Sequence, residues 1–213
     1  MDGRHRSGVV AWAVAGVAFA AYPAVRPAGD SGADWASPAW IVAHLIAVAG
    51  FGLLVAGLAA LWSALRDGPG ERAGFAAVVT GGVGAVLVLP YYGAEVFALN
   101  VIGTRGDPAL TSMGDAIRFL PAAATTFVAG LLALAVASVL AAVAVQRGRV
   151  LPAWTGWLLA AGFVLYLPQF FAPAWLRVAH GVLVAAGCLA IAWHLRAARA
   201  GRPAPVEPAR AAV

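Results

Sequence analysis

Six long apolar runs, separated by short segments that hold most of the charged residues, dominate this sequence. The runs fall at about 9–25, 39–65, 74–101, 117–145, 150–171 and 174–195. Each is long enough, or nearly so, to cross a hydrocarbon layer of about 30 Å as a helix that rises about 1.5 Å per residue. A backbone in lipid must satisfy its own hydrogen bonds, and none of the runs alternates as a strand would. The pattern therefore predicts an all-α bundle of six transmembrane helices.

The composition supports lipid as the main surrounding of this chain. Of its 213 residues, 62% are hydrophobic and 11% are charged, whereas soluble domains carry about 45–50% apolar and about 25% charged residues. So many apolar side chains cannot all be hidden inside one core of this size. A soluble enzyme and a disordered chain are excluded, and the single cysteine, Cys188, excludes a disulfide-stapled secreted domain. The predicted partner is the lipid bilayer.

The positive charge indicates membrane orientation rather than nucleic-acid binding. The formal net charge is +5, but all basic residues are Arg scattered between the apolar runs, and no base-reading motif is present. Ten Arg lie on the side of both termini and four on the opposite side, which predicts an N-in and C-in topology by the positive-inside rule. The Arg-only, Ala-rich composition suggests a bacterial inner membrane. We expect the six helices within residues 1–198 and a flexible cytoplasmic tail at 199–213.

The first run is expected to be a retained helix rather than a cleaved signal peptide. Residues 18–20 have the Ala-x-Ala form of a signal-peptidase site, but the apolar run continues to Tyr22 and Pro23. The order Tyr, Pro and, further along the chain, His occurs from Tyr22 to His44 and again from Tyr166 to His180. Helices 1–2 and 5–6 are therefore candidates for related hairpins, an arrangement that frames a central site in some transporters.

Three ionisable side chains lie well inside the apolar runs: His44, Glu95 and His180. Ionisable groups within a membrane are costly, so each is a functional hypothesis. All three lie about 7.5–9 Å from the predicted outer ends of helices 2, 3 and 6, at about 1.5 Å per residue. The sequence thus predicts one layer of two imidazoles and a carboxylate, forming an outward-facing polar pocket.

Helix 3 carries further candidates beside Glu95. Pro90 removes a backbone hydrogen bond and is expected to kink the helix within the membrane. Tyr91 and Tyr92 precede Glu95 by four and three residues, so both can lie on or beside its face. Two arginines near the same membrane side are candidate donors to the carboxylate. The predicted pocket residues are Pro90, Tyr91, Tyr92, Arg118 and Arg177.

Three functions are open for this layer. In the first, which we favour, His44 and His180 bind a b-type haem, or a divalent transition metal with Glu95 as a third ligand, for redox or metal-dependent chemistry. Glu95 is then a metal ligand or the catalytic proton acceptor. In the second, Glu95 couples a proton or cation to the transport of a small solute. In the third, the histidines only hydrogen-bond across helices, Glu95 reaches the lipid headgroups, and the protein is a scaffold or partner subunit.

Overall fold

A computed structural model of the protein describes residues 3–200, and this range is helical with no strand. Five helical segments are long and apolar enough to cross a membrane: Arg6–Val25, Pro38–Ala64, Glu71–Arg105, Pro121–Gly148 and Ala174–Ala198. The predicted all-α bundle is confirmed, and the helices indicate a multi-pass membrane protein. Most of the predicted tail, residues 201–213, lies outside the described residues.

Nine α-helices follow one another along the described chain. They are α1 (Gly3–Val25), α2 (Gly32–Ala36), α3 (Pro38–Ala64), α4 (Glu71–Gly93), α5 (Asn100–Arg105), α6 (Pro108–Arg118), α7 (Pro121–Gly148), α8 (Ala153–Val164) and α9 (Ala174–Ala200). A π-helical turn, Ala94–Leu99, joins α4 to α5 in one span, and a 3-10 turn, Pro168–Phe171, precedes α9.

The six longer α-helices form a closed ring. Helix α1 packs on α3 and α9, α4 packs on α3 and α7, and α8 packs on α7 and α9. Small residues allow the closest approach, because a Cβ atom added at Gly84 of α4 would lie only 2.9 Å from the carbonyl oxygen of Gly130 in α7. Large buried side chains such as Trp12, Phe51 and Phe163 fill the centre of the ring.

Helix α8 is shorter than the sequence predicts. We expected one helix over 150–171, but α8 ends at Val164 after 12 residues. Pro168 explains this end, because a proline ring in a helix clashes with the carbonyl four residues earlier, here that of Val164. The irregular segment 165–173 then leads to α9. As a result, α8 does not reach one end of the bundle, and a gap remains there between α7 and α9.

The helix predicted over 117–145 corresponds to α7, which begins four residues later than the predicted run. Pro121 forces Leu120 into an extended conformation, with φ −53° and ψ 128°, so α7 begins only at Pro121. The preceding residues form the separate amphipathic helix α6. Asp107 caps α6, since its carboxylate accepts the Ala109 backbone N–H at 2.8 Å.

A small second core holds α2 and α6 on the bundle. It consists of the buried side chains of Trp35, Trp40, Leu99 and Ile102, with Leu110 and Ile117 packed against them. This apolar cluster fixes the loop around residues 26–37 and helix α6 over the end of α4. Three charged side chains from these elements, Arg26, Asp30 and Arg118, are thereby brought to the candidate site.

Candidate functional site

A cavity of about 580 Å³ opens at the end of the bundle where α8 is missing. Its walls come from the end of α1 and the loop after it, the start of α3, the end of α4 and the π-helical turn, the end of α6, the start of α7, the segment 165–173 and the start of α9. Among the residues that the sequence predicts for the site, those lining this cavity are His44, Tyr91, Tyr92, Glu95, Arg118 and Arg177.

Glu95 lies in the π-helical turn and is 4% exposed. Its Oε1 accepts a hydrogen bond from Nε of Arg118 at 2.9 Å. Its backbone carbonyl accepts one from the indole of Trp40, also at 2.9 Å. Oε2, by contrast, is buried and has no hydrogen-bond partner within the described chain. π-Helical turns are frequent at functional sites. A buried acceptor without a donor also needs an explanation.

The imidazole of His44 faces this second oxygen. Its Nδ1 lies 2.7 Å from the backbone carbonyl of Trp40, and a carbonyl can only accept, so Nδ1 carries the proton. Nε2 is then a bare acceptor in the neutral ring, and it lies 3.9 Å from Oε2 of Glu95. With an ionised Glu95, two acceptors face each other in a buried place. A proton on either group, with a small shift that brings the two atoms within hydrogen-bond distance, would remove this conflict.

Arg118 joins the buried carboxylate to the loop after α1. Besides its bond to Glu95, it donates from Nη1 to Oδ2 of Asp30 at 2.8 Å. Asp30 also accepts from the indole of Trp35 at 2.9 Å. Burial would raise the pKa of Asp30, but the hydrogen bonds from Arg118 and Trp35 hold it below its usual value. Burial likewise opposes the charge of Arg118, yet Glu95 and Asp30 raise the pKa of its guanidinium.

Asp30 and Arg26 are not among the site residues that the sequence predicts. Arg26 lies with its guanidinium 4.5 Å from the ring centre of Trp40 and donates to Asp30 at 3.4 Å. The four-residue spacing of the two side chains indicates a local pair. Nothing in the sequence indicates the contact of Asp30 with Arg118, because 88 residues separate them.

The tyrosines of α4 have different places in the site. Tyr91 stacks on Phe127 of α7, with ring centres 4.2 Å apart, and forms part of the cavity wall. Tyr92 is buried between Tyr22 and His44, with ring centres 5.8 Å from each. Pro90 lies inside α4, one turn before Glu95, and is not among the side chains lining the cavity in the described structure.

His180 does not join His44 and Glu95. Its Nε2 lies 2.7 Å from the carbonyl oxygen of Gly162 in α8, and it lines a separate, water-sized cavity of about 10 Å³. Tyr22 and Arg177 form part of the wall of both cavities. The expected layer of two imidazoles and one carboxylate is therefore divided, because α9 directs His180 towards α8.

The residues present do not fit the expected haem or metal. Within residues 3–200, no group of three or more His, Cys, Asp and Glu side chains is placed to hold a metal ion. A haem between His44 and His180 would need both imidazoles in one cavity. The guanidinium on Oε1 of Glu95 also repels a metal cation at this carboxylate. The pair of His44 and Glu95 is better suited to hold a proton.

Comparison with protein-family models, with curated proteins and with solved structures gives no match to this chain.

Proposed function

We propose that the protein is a proton-coupled carrier of a small solute, which binds in the 580 Å³ cavity. The observation that carries this proposal is the buried oxygen Oε2 of Glu95, which has no donor among the described residues and lies 3.9 Å from Nε2 of His44. The pair forms part of the cavity wall, so a bound solute can change how strongly it holds that proton.

The cavity has the properties of a small-molecule site. Its volume falls in the range of about 300–1,000 Å³ that is typical of ligand pockets. Aromatic rings, among them Tyr91, Phe127 and Phe170, form much of its wall. A few polar side chains, among them His44, Glu95 and Arg118, also line it. An apolar enclosure with a few fixed polar groups can orient a solute and exclude water from the proton pair.

Arg118 provides the link between solute and proton. In the described state it donates to Glu95 and so stabilises the ionised carboxylate. A solute that attracts this guanidinium weakens its bond to Glu95, which then takes a proton more readily and can donate it to His44 Nε2. Binding of the solute and uptake of the proton are thereby linked in free energy, as coupled transport requires.

Reconstituted protein tests this function. Liposomes that contain the purified protein and a trapped pH-sensitive dye are exposed to a panel of small solutes, and the internal pH is recorded. We expect at least one solute to change the internal pH in wild-type liposomes and to have no such effect after Glu95→Gln. The matched control is Glu71→Gln at the far end of α4, which should behave as wild type.

An equal response in Glu95→Gln liposomes would contradict the proposed role of Glu95. Two results together would contradict the proton site itself. No solute of the panel gives a response, and the change in the infrared carboxyl bands between pH 4 and 9 is the same in wild type and Glu95→Gln. Size-exclusion profiles and circular dichroism of each variant establish that it is folded.

A further inference from the structure

We infer that the solute is a single-chain amphipathic anion, with one carboxylate-like group on an apolar body. This inference rests on the proposed function, because it names the solute of the same cavity. Its basis is the combination of an arginine without an acidic partner and an apolar side opening.

The charges that line the cavity favour an anion. Three arginines, Arg26, Arg118 and Arg177, face it, against two carboxylates, Asp30 and Glu95. With His44 neutral, the lining keeps one positive charge in excess even when both carboxylates are ionised. Such an excess attracts a negative group into a cleft with apolar walls.

Arg177 is the side chain that carries this excess. Both carboxylates of the cavity are engaged with Arg26 or Arg118. The guanidinium of Arg177, by contrast, has no carboxylate within 4.0 Å among the described residues. Its hydrogen bond goes to the backbone carbonyl of Ala28 at 3.3 Å. Most of its five N–H donors are therefore available to a carboxylate, which a guanidinium binds with two parallel hydrogen bonds.

The rest of the wall suits an apolar chain. Phe127 packs against both Tyr91 and Phe170 inside the cavity. At the gap between α7 and α9, Phe171 is 89% and Trp175 70% exposed, although both line the cavity. Exposed aromatic side chains are typical of the interface between a membrane and water. An amphipathic molecule can therefore enter from the bilayer, with its charged end directed to Arg177 and its chain between the aromatic rings.

This solute also accounts for the direction of proton coupling. The negative end of the solute, held at Arg177, also attracts the guanidinium of Arg118 across the same cavity and so weakens its bond to Glu95. Glu95 then accepts a proton from water, and the protonated Oε2 can donate to Nε2 of His44. One anion and one proton are thus taken up together, no covalent bond of the solute changes, and the charge of the cavity stays constant.

Equilibrium binding of radiolabelled octanoate to the full-length protein in nanodiscs of a zwitterionic lipid tests the inference, with empty nanodiscs subtracted. We expect saturable binding that unlabelled octanoate displaces. Octanol and octylamine, which have the same chain, should displace it at least about tenfold less well, since a charge-assisted hydrogen bond is worth at least that factor. Equal displacement by octanol would show that the charge is not recognised, and would overturn the inference.

Variants of Arg177 provide the second arm of the test. Arg177→Gln should weaken octanoate binding about tenfold, and Arg177→Lys should restore part of it. The control Arg105→Gln removes an exposed arginine of α5 that does not line the cavity, and should bind as wild type. Unchanged binding in Arg177→Gln would overturn the inference. Displacement by phosphatidylglycerol as effective as that by octanoate would also overturn it, because it would identify a two-chain lipid.

The outcomes separate this inference from the proposed function. If octanoate does not bind but another solute drives proton movement that Glu95→Gln abolishes, the solute class is wrong and the carrier function stands. If octanoate binds selectively but moves no proton in wild-type liposomes, the solute class stands and the proton coupling is wrong.

Discussion

At Glu95, two oxygens of one carboxylate meet different surroundings, and this difference carries the functional argument. Oε1 has the guanidinium of Arg118 at 2.9 Å, which compensates its charge. Oε2 has an imidazole nitrogen at 3.9 Å and no donor in the described chain. An uncompensated carboxylate would be too costly in this place, and a fully bonded one could not exchange a proton. The half-satisfied carboxylate can be both stable and responsive.

Removing Arg118 should cost more stability than removing Glu95. We expect Arg118→Gln to lower the free energy of unfolding by about 3 kcal/mol, since it leaves a buried carboxylate without its cation. Glu95→Gln should cost less, because Arg118 keeps its bond to Asp30. Denaturation in mixed micelles measures both variants and the double variant. If the double variant loses as much as the sum of the single ones, the two side chains are not coupled.

Asp30 should make the stability of the protein fall in acid. Its pKa is lower in the folded protein than its ordinary value of 3.8, because Arg118 and Trp35 donate to its carboxylate despite the effect of burial. A lowered folded pKa stabilises the fold above the ordinary value, and this stabilisation is lost as pH falls through the folded pKa. Thermal unfolding between pH 3 and 7 should therefore depend less on pH in Asp30→Asn than in wild type.

The control for this titration is Asp115→Asn. The carboxylate of Asp115 lies 4.0 Å from the guanidinium of Arg118, beyond hydrogen-bond distance, so its removal should leave thermal unfolding as in wild type. Equal slopes in wild type and Asp30→Asn would show that the hydrogen bonds of Asp30 do not stabilise the fold.

For single residues, the sequence could predict which polar side chains are unusual but not which of them contact each other. Glu95 and His44 were identifiable because ionisable side chains are rare within apolar runs. The same argument selected His180, whose imidazole instead bonds to the backbone of Gly162. Depth in the membrane is readable from helix spacing, but the direction of a side chain around the helix axis depends on packing, which spacing alone does not determine.

Among the elements, the short helices α2 and α6 are as important for the site as the long spans. Helix α2 places Trp35, whose indole donates to Asp30, and α6 ends at Arg118. Tight backbone contacts hold them: a Cβ atom at Gly103 of α5 would lie 2.5 Å from the carbonyl oxygen of Gly32. The position of Arg118 over Glu95 therefore depends on glycines outside the cavity.

Replacement of Gly103 should disturb this arrangement. We expect Gly103→Ala to lower the free energy of unfolding by about 1–3 kcal/mol, because the clash is with backbone atoms that cannot move aside cheaply. The control Gly82→Ala on α4 adds a methyl group where nothing lies within 4 Å, and should be neutral or stabilising by up to about 1 kcal/mol. Melting temperatures in nanodiscs compare the two. A Gly103→Ala protein as stable as Gly82→Ala would contradict the close packing of α2 on α5.

The prolines that bound these elements are visible in the sequence, but the apolar runs are the stronger pattern. Asp107-Pro108 is a typical helix start, and Pro121 and Pro168 mark helix ends by the same rules. The apolar runs continue across both prolines, so hydropathy alone began α7 about four residues too early and extended α8 beyond Val164. Proline chemistry decided these boundaries, and hydropathy did not.

For the whole molecule, the arrangement of the helices predicts that both termini lie on one side of the membrane. The cavity is formed where α1 ends and where α3 and α9 begin, so the start of α1 and the end of α9 lie at the opposite end of the bundle. The excess of arginine at that end predicts that it is cytoplasmic.

Reporter fusions test this topology. Green fluorescent protein should be fluorescent, and alkaline phosphatase inactive, at either terminus in a bacterial host. Fusions after Gly29 should give the opposite result, because this loop is predicted to lie outside. Termini on different sides would show that the segment around α8 does not complete a membrane crossing.

The bundle as a whole was predictable because lipid allows so few alternatives. A chain with several apolar runs of spanning length must form helices, and short loops make neighbours antiparallel. What hydropathy could not predict is the gap in the ring, because it arises from one proline that shortens one helix. The cavity, and with it the candidate site, exists through this local exception to a regular pattern.

The polar pair and the border of the gap lie on different parts of the chain, and this separation has a consequence for how the protein could be modified. His44 and Glu95, the proposed acid–base pair, lie on elements of the ring, whereas the gap is bordered by the irregular stretch 165–173. Irregular stretches tolerate insertions and deletions far better than helices do. Insertions or deletions in this one stretch should therefore change which solutes enter the cavity, while the contact between His44 and Glu95 stays unchanged.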